Sequence, residues 1–189
     1  IGNMTSGVFI TQRLKALKRL GIDFTVYALG AQDDVLMKIL LKMLGIKPVV
    51  IPDAPLNVDG VTYNYVTFDR KLFNMFYDEV LKGKKYLKYS EKIVNQILNE
   101  NSGKKFDLIH AHGMYNFIPS GLVAMKLSEK YGIPFVVTLH GSDINYRMKW
   151  RKELYLNVLE SAAKCIFVSN GLLNKAKSYG YSGKNAVVI

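Results

Sequence analysis

Cysteine is nearly missing from this chain. Cys165 is the only one in 189 residues, so no internal disulfide can form and a reducing cytoplasm is the default setting. It lies in Lys164-Cys165-Ile166-Phe167-Val168, which reads as a buried strand. Neighbours in a strand point to opposite faces, so Lys164 does not activate the thiol, and a small core hydrophobe is the expected role. Long apolar runs are lacking too. Val35–Leu44 is interrupted by Lys38 and Lys42, and nothing reaches the length of a membrane span. Ile1 to Gly7 has neither a basic start nor an apolar stretch, so it is not a signal peptide. No G-x-G-x-x-G and no P-loop lysine pattern occurs, which argues against the usual dinucleotide and ATP sites. No G-x-S-x-G and no paired cysteine motif occurs, which leaves hydrolase and zinc readings without support. Long polar tracts are absent, and hydrophobic residues make up 49% of the chain. That is enough for a folded core in one domain, or one large domain with an inserted segment.

What is abundant is positive charge. The formal net charge is +11, which favours anionic partners such as nucleic acid, anionic lipid or phosphorylated sugars. The charge peaks at Lys82-Gly83-Lys84-Lys85-Tyr86-Leu87-Lys88 and again at Arg147-Met148-Lys149-Trp150-Arg151-Lys152. Each peak also fits a solvated helix face. Over Arg70–Lys92, Leu72, Phe73, Phe76 and Val80 recur at helical spacing beside the lysines; the better reading is an apolar side packed on the sheet under solvated lysines, while the charge also permits weak contact with an anionic membrane.

The second half has the clearer rhythm. Asp107–His112 reads as a short strand with a polar end, and Ser120–Tyr131 as a helix stopped at Gly132-Ile133-Pro134. Phe135–Leu139 is a β-branched and aromatic run of the kind buried on both faces. Trp150–Ala163 is a second helix, Lys164–Val168 a third strand, Asn170–Tyr179 a third helix, and Asn185–Ile189 opens a fourth strand. Such alternation predicts an α/β, Rossmann-like doubly wound domain, with a mostly parallel sheet and helices on both faces. The first half is less regular. Val8–Leu20 reads as a helix, Phe24–Leu29 as a strand, Asp33–Leu44 as an amphipathic helix and Lys47–Ile51 as a strand. Val61–Phe68 alternates like an edge strand, and Arg70–Asn99 reads as helix with a break at Gly83. A doubly wound domain should open with a strand, whereas here the chain starts in the loop before the first helix.

Open parallel sheets place ligands beyond the carboxyl ends of their strands, and the polar clusters fall there. His110 and His112 lie two apart in a strand, so both imidazoles share a face. They could hold a metal, but no third ligand is obvious. Hydrogen bonding to a ligand or to loop backbone is the better reading, and no metal is expected. Leu139-His140-Gly141-Ser142-Asp143 delivers a histidine, a glycine and an acid to one rim. His140 can donate to a sugar hydroxyl or stabilise developing charge, Gly141 leaves room, and Asp143 either accepts from hydroxyls or caps the next turn. Ser169, opening the third of these helices, is an N-cap candidate as well as a ligand contact. Ser6 and Gly7 precede the first helix, whose N-terminal N–H groups suit phosphate or a sugar hydroxyl.

In this order the motifs resemble the N-terminal domain of the retaining glycosyltransferase family 4, which has the GT-B architecture. The resemblance rests on Phe106–His112, Pro134–Asp143, Cys165–Ser169 and Ala186–Ile189, and more loosely on Thr5-Ser6-Gly7 with the helix leading to Phe24. It implies that residues 1–189 are the acceptor-side domain of a two-domain enzyme. The domain that grips the donor, and the first strand, would lie outside the chain. It implies a nucleotide-diphosphate sugar as donor substrate, a sugar or lipid-linked acceptor, and no catalytic metal or other cofactor. His140 matches the family histidine near the donor sugar. Gly7 looks like part of the loop approaching the donor phosphates, although Ser6 stands where many members carry a second glycine. The expected setting is cytoplasmic, at or near the inner face of the membrane, and the isolated domain is expected to be inactive. Two other readings stay open: half of another sugar-nucleotide enzyme such as an epimerase, and a basic non-catalytic module on nucleic acid. The second lacks an aromatic–basic recognition motif, so no specific nucleic acid partner is expected.

Overall fold

Two runs of secondary structure follow from this sequence, and the chain clusters into two units, Ile1–Lys71 and Leu72–Ile189. The computed structural model describes residues 8–49, 51, 54–71, 84–115 and 117–189.

In the first unit, α1 (Val8–Arg19) leads to β1 (Val26–Asp33), α2 (Val35–Met43), β2 (Leu56–Val58) and β3 (Val61–Arg70). β1 runs parallel to β3, and β2 pairs antiparallel with β3, giving the order β1-β3-β2. The turn between β2 and β3 is Asp59-Gly60, both at positive φ (53° and 81°), the backbone twist that suits a two-residue hairpin. β3 is therefore central, not an edge. The alternation that suggested an edge reports which faces are buried and says nothing about how many neighbours a strand has.

β1 also starts later and runs further than the periodicity predicts. Asp33 stays in the strand because its N–H donates to the Val49 carbonyl at 3.3 Å and its carboxylate accepts from Val49 N at 2.7 Å. Asp34 is the cap instead, its Oδ1 accepting from Met37 N at 2.8 Å. Two adjacent aspartates look alike in sequence as N-caps, and their partners separate them. Lys47–Ile51 forms no strand among the described residues; the two bonds to Asp33 tether it. The expected helix over Arg70–Asn99 is also revised. Arg70 closes β3, residues 72–83 lie outside the described residues together with the expected break at Gly83, and the helix seen is α3, Lys85–Glu100. Its buried residues Ser90, Ile93, Val94 and Ile97 recur at helical spacing.

The second unit continues with β4 (Ile109–His112), α4 (Ser120–Tyr131), β5 (Phe135–Leu139), a π-helical turn (Asp143–Arg147), α5 (Lys152–Ser161), β6 (Lys164–Phe167), α6 (Asn170–Ser178) and β7 (Ala186–Val188). The four strands lie in the order β4-β5-β6-β7, all parallel. This is the α/β class with a mostly parallel, helix-flanked sheet that the alternation predicts. Strands added in one direction by right-handed crossovers send successive helices to the same face. The core agrees. Ala111, Val137 and Cys165 are in register, as are Leu139 and Phe167, and all are buried with residues of α4, α5 and α6 in one cluster. His110, His112, Thr138 and His140 alternate with these residues and point to the opposite face. Trp150, expected as the start of α5, precedes it. The π-helical turn closes with Met148 N donating to the Asp143 carbonyl at 2.9 Å, and the helix restarts only at Lys152.

Candidate functional site

Strand alternation brings three imidazoles into a ladder at the carboxyl ends of β4 and β5. The His110 and His112 rings stack with centroids 4.3 Å apart, and those of His112 and His140 with centroids 5.6 Å apart and planes 14° from parallel. His112 Nδ1 and His140 Nε2 are 3.3 Å apart. At that distance one nitrogen carries the shared proton and the other offers its lone pair, so the two rings set each other's tautomers. His110 Nε2 is 2.8 Å from Thr138 Oγ1. Thr138 is fully buried, two residues before His140 on the same face, and so fixes the far end of the ladder. The strand alternation that paired the two β4 histidines would also have pointed to Thr138.

The loop after β5 is held from inside. Asp143 is 1% exposed. Its Oδ1 accepts from Gly141 N at 2.9 Å and Ile144 N at 3.2 Å, and its Oδ2 from His140 N at 3.3 Å. The acid that the sequence offered either as a hydroxyl acceptor or as a cap thus directs its oxygens at three backbone amides. That fixes the backbone of His140 and so aims its ring. Gly141 between them has φ 125°, a conformation that side chains strongly disfavour. Across the rim, the Ser120 hydroxyl donates toward the His112 carbonyl at 2.8 Å and the Gly113 carbonyl, while Gly113 N donates to the Thr138 carbonyl at 2.8 Å. The π-helical turn then sets the Arg147 guanidinium over the Tyr115 ring, 4.8 Å from its centroid. The fully buried Tyr155 hydroxyl donates to the Met114 carbonyl at 2.6 Å and anchors the β4 loop to α5.

Of the residues singled out from sequence, His110, His112, His140, Gly141 and Asp143 gather at this rim. Ser169 sits just past β6, where Leu139 and Phe167 are in register, so it belongs to the same end of the sheet. Its Oγ accepts from Leu172 N at 3.2 Å as the N-cap of α6. Ser6 and Gly7 lie outside the described residues. Sequence reading passed over Thr138, Ser120 and the Arg147–Tyr115 pair. The Arg147–Tyr115 pair unites segments 32 residues apart in the chain and leaves no local signal.

Among the described residues no group of three His, Cys, Asp or Glu side chains is placed to hold a metal ion. Cys165 is fully buried, with its thiol 3.3 Å from the Leu159 carbonyl. Burial pushes that thiol up to about 11, despite the opposing hydrogen bond with Tyr181. It is a core residue. No helix among the described residues is long and apolar enough to cross a membrane.

The arrangement offers imidazole donors on a rigid rim and a loop pinned by a buried carboxylate. It can orient a polyhydroxyl ligand and place a donor against charge that develops on it. Comparison with known proteins fits such a role. The model of Glycosyltransferase Family 4 matches residues 6–189. The chain is also 29% identical over 176 residues to the Bacillus subtilis (strain 168) protein named "Putative teichuronic acid biosynthesis glycosyltransferase TuaC". That match covers 90% of this chain and 42% of the relative, so the chain spans less than half the relative's length.

Proposed function

Since the chain belongs to glycosyltransferase family 4, we propose that it forms the acceptor-side half of an enzyme that moves a sugar, with retention, from a nucleotide-diphosphate donor to a hydroxyl acceptor. The observation that carries the reading is the 3.3 Å pair of His112 and His140 at the carboxyl ends of adjacent parallel strands. Departure of a diphosphate leaves an oxocarbenium-like sugar. What that step needs is positioned donors and dipoles more than a strong base.

In this reading His140 is the catalytic residue, with its ring directed at the donor sugar. His112 holds the His140 tautomer, and Asp143 holds the His140 backbone. His110, Gly141 and Ser169 line the acceptor side. A second domain, of the GT-B kind, would grip most of the nucleotide, so this chain alone should transfer nothing. The Bacillus subtilis relative is named for teichuronic acid biosynthesis. An acceptor carrying a uronic acid, free or lipid-linked, is therefore the one to try first, and the net charge of +11 suits it. The basic face on α3, where Lys84, Lys85, Lys88 and Lys92 are exposed, is the surface for a weak, charge-driven contact with the cytoplasmic side of a membrane.

The test is nucleoside-diphosphate release by the full-length enzyme across a panel of sugar nucleotides and acceptors. His140→Ala should lower kcat by about 10²-fold with the unfolding midpoint unchanged. A His140→Ala enzyme that turns over at the native rate would remove His140 from the mechanism.

A further inference from the structure

The segments that leave the histidine rim carry an aromatic and cationic surface that the core of the second unit does not use. Tyr115 follows His112 by three residues, and Tyr146 follows Asp143 by three. β4 and β5 are adjacent and parallel, with His112 in register with Thr138, so the two segments leave the same end of the sheet side by side. Arg147 ties them, its guanidinium 4.8 Å from the Tyr115 ring centroid. Arg151 ties them again, donating from Nη1 to the Phe117 carbonyl at 2.8 Å. Ile144 and Met148 are fully buried, whereas Tyr146 and Trp150, two residues beyond each, face outward at 68 and 60% exposure, and Tyr115 is 45% exposed. Lys149 Nζ lies 5.3 Å from the Trp150 ring centroid. Scattered surface aromatics need no explanation, but three gathered around two cations do. From Ile144 through Lys152 the sequence has four basic residues and no acid.

We propose that Tyr115, Tyr146 and Trp150, with Arg147 and Lys149, form a binding track for the outer sugars of an anionic glycan, a chain of uronic acids whose end sugar lies at the histidine rim. The C–H face of a pyranose ring is apolar and packs on an aromatic ring, while its carboxylate takes a charge-assisted hydrogen bond from a guanidinium or an ammonium. Rings set beside cations match both parts of a uronic acid. A bilayer would instead call for exposed aliphatic side chains, and Ile144 and Met148, the other large apolar residues of this stretch, are buried. A single-stranded nucleic acid also stacks on aromatic rings, but this surface begins within three residues of the rim on both strands, which favours the ligand that the rim itself takes. The proposal rests on the sugar-transfer reading and extends it from the sugar that reacts to those behind it.

As the chain's one tryptophan, Trp150 reports on the track through its own fluorescence, with no sugar nucleotide present. A hexamer of galacturonic acid should quench and blue-shift that emission to saturation. Galacturonate monomer lacks the length and maltohexaose the charge, so each should bind about tenfold more weakly or worse. Lys149→Glu should weaken the hexamer about tenfold, while Lys175→Glu, an equal charge change at an exposed site on α6, should leave its binding near native. Tyr146→Ala should also weaken it about tenfold, and Trp150→Ala likewise when read by calorimetry. In the full-length enzyme, Trp150→Ala should raise the KM for a uronate oligomer and leave kcat and the KM for a one-sugar acceptor unchanged. No hexamer binding by the native chain, equal binding of hexamer and maltohexaose, or equal loss in Lys149→Glu and Lys175→Glu would overturn the proposal. So would tighter binding of oligo(dT) than of the hexamer, since a single-stranded nucleic acid would then be the occupant. Nucleotide release that persists with one-sugar acceptors separates any such failure from failure of the sugar-transfer reading, which His140→Ala tests.

Discussion

Asp143→Ala should destabilise the second unit by about 2–4 kcal/mol, because three backbone amides lose a charged acceptor in a buried loop. The amides of His140, Gly141 and Ile144 lie 3.3, 2.9 and 3.2 Å from the carboxylate oxygens, and the side chain is 1% exposed. Each orphaned donor in such a place costs about 1–3 kcal/mol, and relaxation of the loop keeps the total below the sum. With a urea m-value of about 1–3 kcal/mol/M, the midpoint should fall by about 1–2 M. Asp143→Asn keeps one carbonyl oxygen for Gly141 and Ile144 but loses the charge, so it should fall about half as far. Urea unfolding followed by circular dichroism reads both. Turnover of the full enzyme separates positioning from direct contact. If the carboxylate acts through the His140 backbone, Asp143→Asn should lower kcat while leaving the KM for acceptor unchanged. An Asp143→Ala midpoint within experimental error of the native one would refute the claim that this carboxylate holds the loop.

Tyr155→Phe removes the hydroxyl that reaches the Met114 carbonyl at 2.6 Å and should cost about 1–2 kcal/mol in urea unfolding; an unmoved midpoint would mean that the β4 loop is anchored elsewhere. Burial raises the Cys165 thiol from 9.0 to about 11, so the folded state favours the neutral form. That contribution is fully present below about pH 9 and fades as pH rises toward 11, at up to about 1.4 kcal/mol per pH unit. Tyr181 is also pushed upward, first by burial and then by its hydrogen bond with Cys165, and contributes in the same direction. Cys165→Ala should therefore show a shallower loss of stability over that window than the native chain, and equal slopes would count against the assignment. At pH 8 iodoacetamide should leave native Cys165 unmodified and alkylate it on unfolding.

Much of the second unit was legible locally. Phe135–Leu139 is apolar at every position but one, so its burial needed no knowledge of its neighbours, and Ser120–Tyr131 carries its own stop at Gly132. The histidines were legible for the same reason: a period of two decides which residues share a face, whatever the strand pairs with. The first unit resisted because its signals were ambiguous at short range. Asp33 and Asp34 look like one cap until Val49 takes the first, and Val61–Phe68 alternates whether it has one neighbour or two.

Sequence by itself determined the α/β class, the alternation of strands and helices that follow Phe106, and the end of the sheet to which His110, His112 and His140 belong. These rest on periodicity and on local stop signals, which act within a few residues. Only the tertiary structure decided that His112 and His140 share a hydrogen bond, that Asp143 spends its oxygens on backbone amides, and that Arg147 lies over Tyr115. Each depends on distance in space rather than along the chain. Such relations are set by the packing of the whole unit, where burial of a few large side chains outweighs any local preference.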